Sequence, residues 1–451
     1  MRNSIIYRRA WLTPLGSSVV LALVASVACR DITTLKQENL GSASAGTLFT
    51  PANALLLTNS AIADFECAYN RYVIGSGLFT DELSVAIAQS ANFDYDARRM
   101  PTSGPYGTNN CGAPPTVGAP SSTQQPGIYT PLSVARATND TILAKLEAWT
   151  DAEVSNRSKL IGQAATYAGY SLILLGEGMC SAAINLGPEI QPAAVFTEAI
   201  ARFDKAIAAA TTAADNATLN LALLGRARAK LDLGGAANLA SAAADAALIP
   251  PTFVASTAAN SIDPRRQNAV FVHISQNSYS TVDPSYRNAP VPGGTTQDPR
   301  VAVTDLNRNG TASGTRVWLP TKDGTNATPV RLGSYAEAQL IVAENAAATG
   351  DLPGAVTAIN NARARTPGVP PYVLPAGATA ADVQAQILEE RRREFFVEGH
   401  RLGDLRRTGT PFVPAAGAPY PFLGSYGTLT CFPLPDVERI NNPTIAGGPS
   451  R

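Results

Sequence analysis

This chain has few histidines and no excess of charge of either sign. Its 451 residues include only two histidines, His273 and His400, and both lie far from every cysteine in the sequence. No two cysteines have CxxC spacing, so the usual ligand pattern of a zinc site is missing. Basic and acidic residues number 35 each, which argues against a general nucleic-acid binder because such a protein needs a basic face to pair phosphates. The G-x-S-x-G and P-loop motifs are also absent.

The N-terminus has the pattern of an export signal. Three arginines within the first nine residues precede an apolar run that Pro14 and Gly16 interrupt, which predicts a secretory signal rather than a membrane-spanning helix. Cys29 follows a small residue at the end of this run and resembles the lipidated cysteine of a bacterial lipobox. We therefore predict a signal peptide over residues 1–28, a lipidated Cys29 and a tether over residues 29–48. The alternative is ordinary cleavage nearby, which leaves a free thiol.

Four cysteines remain after this anchor. An even number in an exported chain suits two disulfide bonds, and the sequence leaves three possible pairings open. The four are Cys67, Cys111, Cys180 and Cys431.

From residue 49 onward the apolar spacing is mainly helical. Two segments have the order helix, glycine turn, helix, and in each a small residue, Ala227 or Ala343, stands seven positions before the turn glycine. Small residues at such places let paired helices approach closely, as in tetratricopeptide-like hairpins, which stack on one another. The predicted fold is therefore mainly α, a hairpin scaffold that carries a large irregular lobe. Within the body, 49–451, we predict a long loop over 92–131, hairpins over about 132–247 and 334–407, an irregular insertion over about 250–330 and a Pro-rich segment over 408–451.

The most charged stretch, EERRREFFVEGHRLGDLRR at residues 389–407, has the composition of an active site. As a helix, it places opposite charges three residues apart, where they meet and pair. Two of its glutamates are candidates for a glycosidase acid and base, but neighbouring guanidinium groups would lower their pKa values. We therefore predict a structural ion-pair cluster, with Gly399 as a left-handed residue where the helix ends or bends. The predicted pairs are Glu390–Arg393, Arg391–Glu394, Glu398–Arg401 and Arg401–Asp404.

The same stretch resembles the signature of the SusD/RagB family of outer-membrane nutrient-binding lipoproteins. Two further segments, SYAEAQLIVAENAAATGD and CFPLPDVERINNP, resemble the family's last tetratricopeptide-like pair and its terminal Pro-rich segment. The matching signature residues are Glu390, Arg391, Glu394, Phe395, Glu398, Gly399, Arg401, Asp404, Leu405 and Arg407.

The resemblance implies a SusD-like fold and a non-catalytic receptor that needs no cofactor or metal. It also implies an outer-membrane lipoprotein that faces the cell exterior. Such a protein sits over a TonB-dependent, SusC-like transporter and captures glycans or peptides for import. A peptide receptor of the same architecture, and a helical adaptor without a small ligand, remain alternatives to glycan capture.

Aromatic side chains in the irregular segments are the candidate sugar-binding residues, because sugars need exposed ring faces. Trp318 is the first choice, since its large ring lies in the insertion, followed by Tyr286, Tyr279 and Tyr106. Tyr95 and Tyr129 qualify on the same grounds. The alternative for each ring is that it anchors its loop on the helical scaffold.

The sequence DLNRNG, Asp305 to Gly310, matches the first half of a calcium-binding loop. The twelfth position is Arg316 instead of the bidentate glutamate, which removes a key ligand. We therefore predict a turn here rather than a calcium site.

Overall fold

The computed structural model describes residues 45–88, 90–111, 125–311 and 314–445. The chain divides into two units, Met1–Thr50 and Pro51–Arg451. The described part of the first unit contains one helical turn, Ala45–Leu48. The signal peptide, Cys29 and most of the tether lie outside the described residues, so their assignments stay predictions.

Six helices form the first part of the second unit, and successive helices pack against each other. Phe203 shows why small residues are needed where they cross: a β-carbon at Gly169 would lie 2.7 Å from its ring, and one at Gly225 closer still. Ala227 is fully buried at the same level. The helices are α1 (Ala54–Phe79), α2 (Tyr129–Ala148), α3 (Arg157–Gly178), α4 (Pro192–Thr212), α5 (Asn216–Leu233) and α6 (Ala236–Ala246).

Four further helices complete the scaffold near the C-terminal end of the chain. The turn between the first two contains Gly350 at φ +83°, a conformation that favours glycine. The third begins with a capping box in which Thr379 and Asp382 exchange hydrogen bonds. These helices are α7 (Tyr335–Ala348), α8 (Leu352–Arg363), α9 (Ala380–Glu394) and α10 (Arg401–Thr408).

Short strands, paired antiparallel, build the irregular lobe. They are β1 (Leu83–Val85), β2 (Val254–Ser256), β3 (Ser280–Val282), β4 (Val303–Asn309), β5 (Arg316–Pro320) and β6 (Arg331–Ser334), and the pairs are β1–β3, β2–β6 and β4–β5. Short helices occur at Ser90–Asp96, Pro105–Thr108, Ala269–Phe271, Val272–Gln276 and Asp436–Asn441. The region 92–131 is therefore not the uninterrupted loop we predicted. The mainly α architecture is confirmed.

Two disulfide bonds select one of the three possible pairings: Cys67 with Cys111, and Cys180 with Cys431. The second joins residues 251 positions apart, just after α3 and in the Pro-rich C-terminal segment. Beside it, the Cys180 amide donates to the Phe432 carbonyl (2.8 Å), and the Phe432 amide donates to Gly178 (2.9 Å). The C-terminal segment is thus held on the helical scaffold by covalent and hydrogen bonds.

Within the described residues, no helix is both long enough and apolar enough to span a membrane.

Candidate functional site

The charged stretch is a buried ion-pair network that joins the helices to the irregular lobe. Glu390 is fully buried, and its two carboxylate oxygens accept from Arg300 (2.7 Å) and Arg363 (2.5 Å). Arg300 also binds both oxygens of Asp298. The chain before β4 is thereby attached to α8 and α9.

The next two glutamates share one arginine. Arg331 on β6 donates from Nη1 to Glu394 (2.8 Å) and from Nε to Glu398 (2.9 Å). Lys322, in the turn after β5, donates to the other oxygen of Glu398 (2.5 Å). Each carboxylate is almost completely buried, so the pairing offsets a large desolvation cost.

A third group connects α7, α9 and α10. The Nε of Arg391 lies 2.9 Å from both oxygens of Asp404, and Arg407 reaches the same carboxylate. Arg407 also makes two 2.7 Å hydrogen bonds to Glu344 on α7. Burial favours a raised pKa for Asp404, but Arg391 and Arg407 outweigh it and hold the pKa at about 2.

The cluster was predicted, but its pairings were wrong. The four predicted i, i+3 pairs are absent from the ion pairs of the described residues, and Arg401 binds Asp81 instead. Only Glu398–Arg401 is affected by the break between α9, which ends at Glu394, and α10, which begins at Arg401. The other three pairs each lie within one helix, but their members bind partners outside it: Glu390 binds Arg300, Glu394 binds Arg331 and Arg391 binds Asp404. Gly399 lies in the break between the two helices at φ +75°, the left-handed conformation expected of it. The carboxylates therefore meet cations from distant segments.

A 290 Å³ cavity borders this network between Lys322, Asp323, Arg331 and the two glutamates Glu394 and Glu398. Burial raises the pKa of Asp323 to about 6. Burial also raises the pKa of Glu394, although Arg331 and Arg300 act against it. The expectation that the guanidinium groups lower every carboxylate pKa is therefore wrong for Glu394, because desolvation is the larger effect there.

The tyrosines chosen as sugar-binding residues are mostly core residues. Tyr106 is fully buried, packs on Phe432 and donates its hydroxyl to the Pro433 carbonyl (2.9 Å). Tyr286 is 1% exposed, stacks on Phe396 at 4.5 Å and lies under Arg392. Tyr95 and Tyr129 are buried as well. In this structure none of these rings presents a face to a ligand, and the loop-anchor alternative describes them.

Trp318 and Tyr279 are the candidates that stay partly exposed. Trp318 lies on β5 directly opposite Asp305 on β4, and its backbone amide donates to the Thr281 hydroxyl (2.9 Å). Directly opposed side chains lie on the same face of a pair of strands. The guanidinium of Arg287 lies 5.5 Å from the Trp318 ring centre. The tryptophan ring thus has a cation near it, and Asp305 lies on the same face of the strand pair.

The calcium-like segment lies mostly on β4, with a register irregularity between Asp305 and Asn309, rather than in the turn that we predicted. It contains an internal cation. Arg316 donates to Asp305 (Nε, 2.8 Å; Nη2, 3.0 Å) and to the side-chain oxygen of Asn307 (2.5 Å). Its guanidinium therefore occupies oxygens that a calcium ion would need. Among the described residues, no group of three or more acidic, histidine or cysteine side chains is arranged to bind a metal ion.

Sequence reasoning missed the cations that complete the network. The pairs formed by Arg300, Arg331 and Arg363 with the glutamates of the charged stretch span 27 to 90 positions along the chain. Isolated arginines before β4, on β6 and at the end of α8 carry no local signal of burial. The sequence therefore offered no sign of them as partners for the glutamates.

Comparisons with known proteins give one consistent family. Residues 255–426 match the sequence model of the SusD family. A SusD superfamily protein from Bacteroides fragilis shares 14% identity and a TM-score of 0.63, over 88% of this chain and 99% of its own. A SusD-like carbohydrate binding protein from Bacteroides vulgatus has 16% sequence identity and a TM-score of 0.59, and the match covers 89% of this chain and 93% of that protein. Surface glycan-binding protein A from Bacteroides fluxus has 15% sequence identity and a TM-score of 0.61, and the match covers 91% of this chain and 100% of that protein. No curated protein sequence matches the chain.

Proposed function

Because residues 255–426 match the SusD family model and the fold resembles that of SusD superfamily proteins, we propose that this chain is a SusD-family receptor that captures oligosaccharides at the cell surface without converting them. In this proposal Cys29 carries the lipid anchor in the outer membrane. The captured sugar passes to a TonB-dependent transporter of the SusC type. The names of two similar structures, a carbohydrate binding protein and a surface glycan-binding protein, support sugar over peptide as the ligand.

The observation that carries the proposal is the arrangement around Trp318. Aromatic rings bind the apolar faces of sugars, while carboxylates and guanidinium groups bind their hydroxyls. Trp318 and Arg287 provide a ring and a guanidinium group on a partly exposed part of the lobe, and Asp305, which is paired with Arg316, lies opposite the tryptophan in the strand register. Partly exposed Tyr279 is the second candidate ring.

The proposed absence of catalysis rests on the state of the carboxylates in the charged stretch. Glu390, Glu394 and Glu398 each accept from at least one buried or half-buried cation, and two of them share Arg331. A general acid must release its proton to a substrate, and these groups are committed to holding the fold together.

The test is Trp318→Ala in the protein without its signal peptide, titrated calorimetrically with a panel of neutral and acidic oligosaccharides. We expect the affinity for the bound glycan to fall about tenfold or more, which corresponds to about 1.4 kcal/mol. The free energy of unfolding should fall by only about 1 kcal/mol, the value of a partly exposed cation–π contact. A core tryptophan would cost about 3–5 kcal/mol.

Trp149 provides a matched control, because it is also partly buried but lies at the end of α2 on the helical scaffold. Trp149→Ala should leave glycan affinity unchanged. Release of shorter sugars from any panel member would refute the receptor proposal. Binding of peptides alone would favour a peptide receptor, and binding of neither would favour an adaptor.

A further inference from the structure

A second cavity, of 580 Å³, is lined by Arg363 at the end of α8, by the start of α9 and by two loop segments. Its walls are the loop 364–379 between α8 and α9, the turn 291–294 and the first turns of α9. Small-molecule sites have volumes of about 300–1,000 Å³, so the cavity has room for a ligand of a few sugar units at most. None of the six aromatic residues proposed from the sequence lines it.

The walls of this cavity are fixed before any ligand arrives. Asn360 on α8 accepts from the Tyr372 amide (2.6 Å) and donates to the Tyr372 carbonyl (3.0 Å). Arg363 donates to the carbonyls of Pro370 (2.9 Å) and Pro292 (3.0 Å), one on each wall. A ligand therefore does not have to order the loop, which lowers the entropic cost of binding.

Tyr372 supplies a ring at this cavity. It is only partly buried, and the Arg363 guanidinium lies 5.6 Å from its ring centre. Its hydroxyl has no hydrogen-bond partner among the described residues, in contrast to the buried Tyr106. The proline rings of the same loop add further apolar surface.

The charged groups at the cavity already have hydrogen-bond partners. Asp382 accepts from the Thr379 amide (2.8 Å) and hydroxyl (2.7 Å), and Arg363 binds Glu390. Gln386 donates its amide to Glu390, which leaves its amide oxygen free. The Nε–H of Arg363, on a side chain that is 2% exposed, has no partner within the described protein. The hydrogen-bonding groups open to a ligand are thus the Tyr372 hydroxyl and the Gln386 amide oxygen, since the Arg363 Nε is closed off from solvent.

We propose that this cavity is a second glycan-binding site, specific for neutral sugar units that stack on Tyr372. A neutral sugar offers apolar ring faces, which match the Tyr372 ring. Its hydroxyls match the uncharged Tyr372 hydroxyl and Gln386 amide oxygen. An anionic ligand would find no free cation in the cavity lining, because Arg363 already binds Glu390. The site deepens the proposed function and rests on it, because it assumes that the protein binds glycans.

The experiment uses the purified mature protein and its Trp318→Ala, Tyr372→Ala and double variants. Each is titrated calorimetrically with neutral hexasaccharides (maltohexaose, laminarihexaose, xylohexaose and mannohexaose), with hexagalacturonate and with decaproline. We expect Trp318→Ala to retain a second binding event. Tyr372→Ala should weaken that event roughly three- to tenfold, the value of one aromatic contact. Tyr372→Phe keeps the ring and should weaken it less.

Tyr335→Ala is the matched control, because Tyr335 is also partly buried but lies at the start of α7, outside the cavity. It should leave both binding events unchanged, and melting curves should show that Tyr372→Ala remains folded. If Tyr372→Ala binds every hexasaccharide as the unmodified protein does, the second site is refuted while glycan capture stands. If no hexasaccharide binds the unmodified protein, both proposals fall together. If Tyr372→Ala weakens the binding of decaproline or hexagalacturonate but of no neutral hexasaccharide, the assigned ligand class is refuted.

Discussion

Replacing Asp404 with asparagine removes the central charge of the α9–α10 network with little change in volume. Asp404 is buried between Arg391 and Arg407, which approach its carboxylate to 2.9 Å and 2.8 Å. After the substitution, both guanidinium groups keep a neutral acceptor at best. Glu344 remains beside them, 2.7 Å from Arg407 and 3.6 Å from Arg391.

Two estimates give the size of the effect. The fall in the pKa of Asp404 from 3.8 to about 2 corresponds to about 2 kcal/mol of stability at neutral pH. Breaking one partner out of a buried ion pair costs about 3–5 kcal/mol. Because Glu344 still compensates part of the charge, we expect the Asp404→Asn variant to lose about 2–3 kcal/mol.

Urea denaturation at pH 7 and at pH 3 measures this loss. The folded-state pKa is depressed, so the stabilisation is complete above the unfolded value near 4 and disappears as the pH falls through about 2. The difference between the unmodified protein and Asp404→Asn should therefore shrink at pH 3. Asp151→Asn is the control, since Asp151 pairs with Arg157 at 2.7 Å but is largely exposed, and it should change little. Equal stability of both variants at pH 7, or a loss in Asp404→Asn that is the same at both pH values, would refute the reasoning.

Two further predictions concern a buried acid and the anchor. Glu82 is buried, its pKa is raised by burial to about 8, and it accepts from the Val397 amide. Its ionisation therefore destabilises the folded state as the pH rises from about 4.5 to 8. Glu82→Gln should raise the melting temperature relative to the unmodified protein at pH 8.5 and not at pH 4.5, whereas Glu147→Gln on the surface should show no such trend. Cys29→Ser should move the protein from the membrane fraction to the soluble fraction, and retention after a carbonate wash would contradict lipidation.

The helical scaffold could be predicted from local sequence alone. Apolar residues at helical spacing predicted hairpins over about 132–247, where α2 to α6 lie, because a helix repeats a local pattern that the residues themselves carry. Buried small residues such as Ala227 and Ala343 mark the close helix contacts. The concentration of opposite charges in one segment also predicted a paired cluster, since that many charges cannot be buried unpaired.

Only the tertiary structure decided which charges pair and which rings are exposed. Arg401 binds Asp81, which is 320 positions away, and Arg391 binds Asp404 across the turn at Gly399. Such partners depend on how α9 and α10 fold against distant segments, and no spacing along the chain encodes that. The irregular segments have no period at all, so nothing local separated buried Tyr286 from half-exposed Trp318. Their exposure was set by the packing of the lobe: Tyr286 stacks on Phe396 within the core, whereas Trp318 lies on a short strand pair at the surface.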